Sequence, residues 1–322
     1  MPVSDPQQER SHRTAMQQRE ERAALFALLL AKRTAWSKIV EEILDADSVR
    51  AVLEKTFRTR NMPCGTEDSP LERAIAKARA LLDQCASHGV GVHAFWEDHY
   101  PAALREIHEM PPVVFTKGAV AHDRRAVAVV GPRRPSPRGR AIVSGVAEAL
   151  VERNITVVSG LTAGVDTVAH TAVLRRGGRT VTVLGTGINH YRPRGSRKLQ
   201  QETAERGMVL SPFLPDTPAA RENLTLRTAV MSGYAAATIV VEAGEHSSAR
   251  AQAHIALRHG RPVIFTQELL ANQWAREHSE RPGVYVASGI AELVEVVDSI
   301  LAEATMTADE FIAALETSTF DW

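Results

Sequence analysis

The chain has 322 residues, of which 44% are hydrophobic and 24% charged. That balance belongs to a soluble globular protein and excludes a mostly disordered chain, a collagen-like chain and a coiled-coil rod; the length suits two domains, or one large domain with an extension. The formal net charge is zero, yet from Arg124 to Lys198 fourteen Lys or Arg face three Asp or Glu, a surplus of eleven. A basic stretch inside a neutral protein points to an anionic partner met by one face.

The longest uninterrupted apolar run, Ala23 to Ala31, is nine residues. A membrane-spanning helix needs about twenty, so no membrane crossing is expected. The start, MPVSDPQQERSHR, has no apolar core behind a basic segment and does not read as a secretory signal. The two cysteines, Cys64 and Cys85, lack CxxC spacing. No metal site is expected, and a reducing, cytoplasmic setting is.

Residues 1–18 are polar, rich in Gln, Arg and Glu, and read as disordered. Residues 19–88 read as a helical module. Ala24, Leu25, Leu28 and Leu29 recur at helical spacing, as do Ile39, Ile43, Val49, Val52 and Leu53, and a further helix covers Leu71 to Ala86. Trp36 reads as a core residue of that module. The segment from Val90 to Gly118 is irregular, with a brief helix between Pro101 and Pro111 and a strand over Val113 to Phe115.

From Ala126 the rhythm changes to short apolar runs alternating with amphipathic helices. Strands are predicted at Val127–Val130, Thr156–Val158, Thr180–Leu184, Met208–Leu210, Thr238–Val241 and Pro262–Phe265. Helices are predicted near 139–152, 166–176, 197–206, 222–233 and 248–258. The strands are apolar throughout, as in a parallel sheet covered on both faces. The alternation predicts an α/β fold: a Rossmann-like, doubly wound, mostly parallel sheet over 89–305, with the small helical domain before it. From Ala287 a last helix places Ile290, Leu293, Val294, Val297 and Ile300 on one face, and 306–322 form a short tail. Ligands of such sheets bind at the carboxyl ends of the strands.

The loops expected there carry the chemistry. The first, Gly131 to Gly139, holds Arg133, Arg134, Ser136 and Arg138 and runs into a helix N-terminus, a place for phosphate. The second, Ser159-Gly160-Leu-Thr-Ala-Gly164-Val-Asp166, offers two glycines for close backbone approach. Asp166 is read as the N-cap of the next helix, with His170 four residues on pairing to it and locking the loop. A Ser159–Asp166–His170 hydrolytic triad is rejected, since the serine lacks a GxSxG elbow. The third loop begins with Gly185-x-Gly187, only part of a dinucleotide fingerprint and after the wrong strand, so no cofactor is expected. Its run Tyr191, Arg192, Arg194, Arg197 and Lys198 suits a nucleic-acid backbone. Nine of the fourteen cations, Arg124 and Arg140 among them, are read as lying in or beside the first and third loops. Glu242, after the fifth predicted strand, is suited to bonding a ribose or to orienting a first-loop arginine.

These motifs resemble the DNA-processing protein A (DprA/Smf) family over about Tyr100 to Phe265. Tyr100-Pro101 with Pro111-Pro112 to Gly118 resembles the family's YP…PP-hydrophobic-KG lead-in. The first loop resembles G-S/T-R-x-P-S-x-Y-G, and Ser159 to His170 resembles SGLAxGIDxxAH. Four departures stand out: R-N-R becomes Arg227-Thr228-Ala229, S-G becomes Ser247-Ser248, S-E becomes Ser211-Pro212, and P-G becomes Gln267-Glu268.

The resemblance implies a non-enzymatic protein that binds single-stranded DNA and passes it to a RecA-type recombinase in natural transformation or recombination. It implies a homodimer and no catalytic residues. DNA or phosphate contacts are then expected from Arg133, Arg134, Ser136, Arg138, Gly139, Ser159, Gly160, Gly164, Arg192, Arg194, Arg197, Lys198 and Arg227. Asp166, His170, Glu242 and Ser247 would structure the loops. The departures leave a second expectation open: a nucleotide- or DNA-sensing protein of phage defence acting with a co-encoded effector.

Overall fold

The computed structural model describes residues 6–304 apart from 33, 47, 65 and 67, with side chains from residue 16 onward except that of Arg194. The chain divides into two compact units, 1–97 with 110–114 and 98–109 with 115–322.

The first unit holds α1 (Pro6–Ala31), α2 (Trp36–Leu44), α3 (Val49–Thr59), α4 (Pro70–Ser87) and β1 (Gly91–Ala94). Helix α1 begins within the stretch expected to be disordered. Its Gln, Glu and Arg are good helix formers, and the buried run Ala23 to Leu28 anchors a helix that then propagates cheaply toward the N-terminus. That apolar face packs on α3 and α4. Serine caps start α3 and α4: Ser48 Oγ accepts from Ala51 N and Ser69 Oγ from Glu72 N. Trp36 is half-buried rather than sealed in the core.

The second unit is the α/β sheet. Its elements are β2 (Val113–Gly118, from Phe115 onward), β3 (Ala126–Val130), α5 (Pro137–Glu152), β4 (Thr156–Ser159), α6 (Val165–Arg175), β5 (Thr180–Val183), α7 (Arg197–Arg206), β6 (Met208–Ser211), α8 (Arg221–Tyr234), β7 (Ala237–Val240), α9 (Ser248–Arg258), β8 (Val263–Thr266), α10 (Gln273–Ser279), β9 (Val284–Ala287) and α11 (Ile290–Glu303). The strand order is β2-β6-β5-β4-β3-β7-β8-β9. All pairings from β6 to β9 are parallel, and β2 joins β6 antiparallel, with Phe115 opposite Ser211. Strands β3, β4, β5, β7 and β8 are buried at every residue.

One core layer sets Val127, Val129, Val157 and Ile239 of the sheet against Val143, Val146 and Leu150 of α5, Ala169 and Val173 of α6, and Val294 and Val297 of α11. Winding starts at β3, runs outward through β4, β5 and β6, then returns to β7 on the other side of β3. The topological switch, where such sheets usually open a crevice, therefore lies between the carboxyl ends of β3 and β7. Among the described residues no helix is long and apolar enough to cross a membrane, and no cluster of His, Cys, Asp or Glu could hold a metal.

Candidate nucleic-acid interface

The switch-point crevice is closed by the protein itself. Glu242, just past β7, accepts from the Ser136 backbone N at 3.0 Å and from Ser136 Oγ at 2.5 Å. Ser136 Oγ in turn accepts from Gly139 N at 2.9 Å, capping α5. A Cβ on Gly139 would collide with the Glu242 carboxylate. The helix N-terminus expected to take phosphate is thus occupied by a fixed carboxylate, which the positive end of the helix favours for the same reason. Glu242 positions the first loop through Ser136, and Ser136 and Gly139 both face this internal contact.

The open cavity lies to one side, over β3, β4 and β5. It encloses about 450 Å³ and is lined by Arg133, Leu161, Thr162, Ala163, Leu184, Gly185, Thr186, Arg192, Pro193, Ala219, Ala220, Arg221, Leu224 and Arg227. Four arginines and no carboxylate stand in that lining. Arg227 reaches over from α8, and a Cβ on Gly160 would lie 2.7 Å from its guanidinium carbon and from both terminal nitrogens. The space freed by Gly160 is therefore taken by a guanidinium of the protein. The Arg227 Nε is buried with no acceptor among the described residues. A guanidinium has only donors, and the terminal nitrogens of this one belong to a cavity lining that holds no carboxylate to accept from them.

The second loop is locked to the first. Gly164 has φ +94°, a conformation that favours glycine, and a Cβ there would strike the Pro132 carbonyl and the Arg133 backbone. Val165 N donates to Pro132 O at 3.2 Å. Asp166 is not the cap of α6. Gly164 holds that position, and Asp166 lies in the first helical turn, accepting from Thr162 N at 3.0 Å and Thr162 Oγ1 at 2.7 Å. It folds the loop back onto its own helix.

His170 makes no hydrogen bond to Asp166. Its Nε2 donates to the Gly160 carbonyl at 2.6 Å and its Nδ1 lies 2.7 Å from Thr180 Oγ1. Complete burial pushes its pKa down, against the opposing pull of the Gly160 carbonyl and Asp166, so the imidazole is neutral. Ser159 is fully buried, and its Oγ donates to Val129 O at 2.8 Å, tying β4 to β3. All three residues of the rejected triad are committed to holding Gly160 and its neighbours in place.

The remaining expected contacts scatter. Arg138 is drawn off by Glu268, with Nε 3.1 Å and Nη2 2.5 Å from Oε1. Arg134 is exposed and outside the cavity lining. Arg197 stacks over the Tyr191 ring at 5.2 Å, and Lys198 lies 3.7 Å from Glu202 one turn on; both also lie outside the lining. Arg194 opens a short 3-10 turn. Ser247 caps α9, accepting from Arg250 N at 3.2 Å. Arg124 precedes β3 and so stands at the amino end of the sheet, away from both loops with which the sequence reading grouped it.

Arg221 and Leu224 are cavity residues that the motifs did not indicate. Their signal is spacing: Arg221, Leu224 and Arg227 recur every three residues and share one face of α8.

A sequence profile of the family described as DNA recombination-mediator protein A matches residues 91–305. The chain belongs to this DNA-processing family. The DNA processing protein DprA of Bacillus subtilis is 28% identical over 207 residues, covering 64% of this chain and 70% of that one. Protein Smf of Synechocystis is 36% identical over 170 residues, and the match spans only 43% of its length. Among solved structures, DNA processing protein A of Streptococcus pneumoniae superposes with a TM-score of 0.66 at 25% identity, covering 84% of this chain and 96% of that one. The Helicobacter pylori protein of the same name, described for its single-stranded DNA binding mode, gives 0.59 at 21% identity over 66% of this chain and 96% of its own, a likeness of fold.

Proposed function

We propose that the chain binds single-stranded DNA without catalysing a reaction on it, and passes the strand to a RecA-type recombinase, acting as a homodimer. The observation that carries the binding is the partnerless Arg227 in a cavity lined by four arginines and no carboxylate. In this reading a backbone phosphate docks on Arg227 beside Gly160, Arg133 and Arg192 flank it, and Arg221 takes the neighbouring phosphate. Leu224, Leu161 and Pro193 offer apolar contact to sugar and base faces. Family membership supports the choice of DNA, and the Helicobacter pylori relative is described as a single-stranded DNA binder. The hand-off to a recombinase and the dimer rest on family membership alone. Commitment of Ser159, Asp166 and His170 to internal hydrogen bonds supports a binding role over a hydrolytic one.

Fluorescence anisotropy of a labelled oligo-dT and a matched duplex, at two salt concentrations, tests this. The single strand binds more tightly, and each phosphate neutralised contributes about 0.7 to the salt slope. Absence of binding at low salt overturns the proposal. A cavity of about 450 Å³ also has the size of a small-molecule site, which favours a mononucleotide as the second reading. Equilibrium dialysis with a labelled mononucleotide separates the two: micromolar binding without oligonucleotide affinity selects the second.

A further inference from the structure

A second cavity, of about 240 Å³, lies at the amino end of the sheet, beside the starts of β3 and β7 and remote from the arginine-lined one. Its walls include His99, Tyr100, Pro101, His122, Arg124 and Tyr234. Asp123, which also borders it, is saturated by the protein. Its Oδ1 accepts from Arg179 Nε at 2.7 Å and Thr156 Oγ1 at 2.9 Å, and its Oδ2 accepts from Arg179 Nη2 at 2.9 Å and the Tyr234 hydroxyl at 2.6 Å. This carboxylate is spent within the fold and leaves Arg124 uncompensated. Arg124 and His122 are exposed, and their side chains have no hydrogen-bond or ion-pair partner among the described residues.

We propose that this cavity is a second binding site, for a small phosphorylated compound. The guanidinium of Arg124 supplies the planar pair of donors that phosphate accepts. His122 stands in the same wall as a further donor. Pro101, Ala103, Val120 and Ala121 in the same lining give the phosphate's organic substituent an apolar surface. The volume sets the ligand class. Sites for drug-sized molecules run from about 300 Å³ upward, so a cavity of about 240 Å³ suits a phosphate with a compact substituent. Asp123 holds the wall in place by joining Arg179 and Tyr234 to the start of β4, so the site is formed before ligand arrives. The assignment does not depend on the DNA-binding reading.

Phenyl phosphate and inorganic phosphate, titrated calorimetrically into the full chain, test it. Phenyl phosphate binds more tightly than inorganic phosphate. Arg124→Ala and, separately, His122→Ala weaken phenyl phosphate at least tenfold, with unchanged melting temperature and unchanged oligo-dT anisotropy. Arg133→Ala and Arg227→Ala leave phenyl phosphate binding intact. Binding that survives Arg124→Ala and His122→Ala but is lost in Arg227→Ala would place the phosphate in the other cavity and overturn the proposal. So would the absence of phenyl phosphate binding to the parent chain.

Discussion

Arg227 joins the stability of the fold to the candidate chemistry in one side chain. Its guanidinium covers Gly160 while its Nε is buried without an acceptor, a state that costs on the order of 1–3 kcal/mol. Arg227→Leu removes that cost and keeps apolar contact with Leu224 and Gly185. The variant is expected to melt at or above the parent temperature while losing oligo-dT affinity, read by calorimetry and anisotropy on the same samples. Retained affinity would show that the anion docks elsewhere. Arg133, exposed at the rim and without an ion-pair partner among the described residues, behaves differently. Arg133→Ala weakens binding equally for all base sequences and lowers the salt slope by about 0.7, the share of one phosphate contact on a single strand. Arg133 and Arg227 were readable because both stand inside family-like motifs. The pairing of Arg138 with Glu268 was not, since the partner lies 130 residues away and only the parallel pairing of β3, β7 and β8 brings the two loops together.

The start of α5 shows how an element can contradict its own local sequence. Arg133, Arg134, Arg138 and a helix N-terminus read as a phosphate cradle, yet β7 delivers Glu242 to that place. The carboxylate holds Ser136, and no first-loop arginine is bonded to it among the described residues. Glu242→Gln takes the negative charge from the helix terminus and is expected to cost about 0.3–1 kcal/mol, with oligo-dT affinity not reduced. Weakened binding at an unchanged melting temperature would instead mean that Glu242 touches the ligand. Gly164 makes the complementary case. At φ +94°, packed against Pro132 and Arg133, it interlocks the first two loops, and Gly164→Ala is expected to destabilise by about 1–3 kcal/mol in thermal melts. The buried parallel strands were legible because each is a short run apolar at every position. Strands β1 and β9 and helix α10 were not. Each strand has four residues, only the last of them buried, and the helix has seven, too few to display a period.

Across the whole molecule, the surplus of eleven positive charges between Arg124 and Lys198 overstates what the ligand edge receives. Arg125 and Arg153 pair with Asp298, Arg176 with Glu148 and Arg179 with Asp123, while the cavity recruits Arg221 and Arg227 from outside that stretch. Counting along the chain cannot see partners that folding supplies. The Asp123 cluster carries the clearest pH consequence. Burial pushes its carboxyl pKa up, but hydrogen bonds from Arg179, Tyr234 and Thr156 and the Arg179 charge outweigh burial and hold it below the usual aspartate range. A carboxyl depressed in the folded state contributes stability that is fully present above its unfolded value of about 3.9, and that is lost as pH falls through the lower folded value. Asp123→Asn keeps a side chain of the same shape but loses the charge that Arg179 and Tyr234 were built to meet. It is expected to cost about 1–3 kcal/mol at pH 7, with the gap to the parent shrinking below about pH 4. Urea unfolding of both proteins from pH 7 down to pH 3 checks this. A gap independent of pH would show that Asp123 contributes through shape and neutral hydrogen bonds, with its charge compensated in the unfolded chain as fully as in the fold.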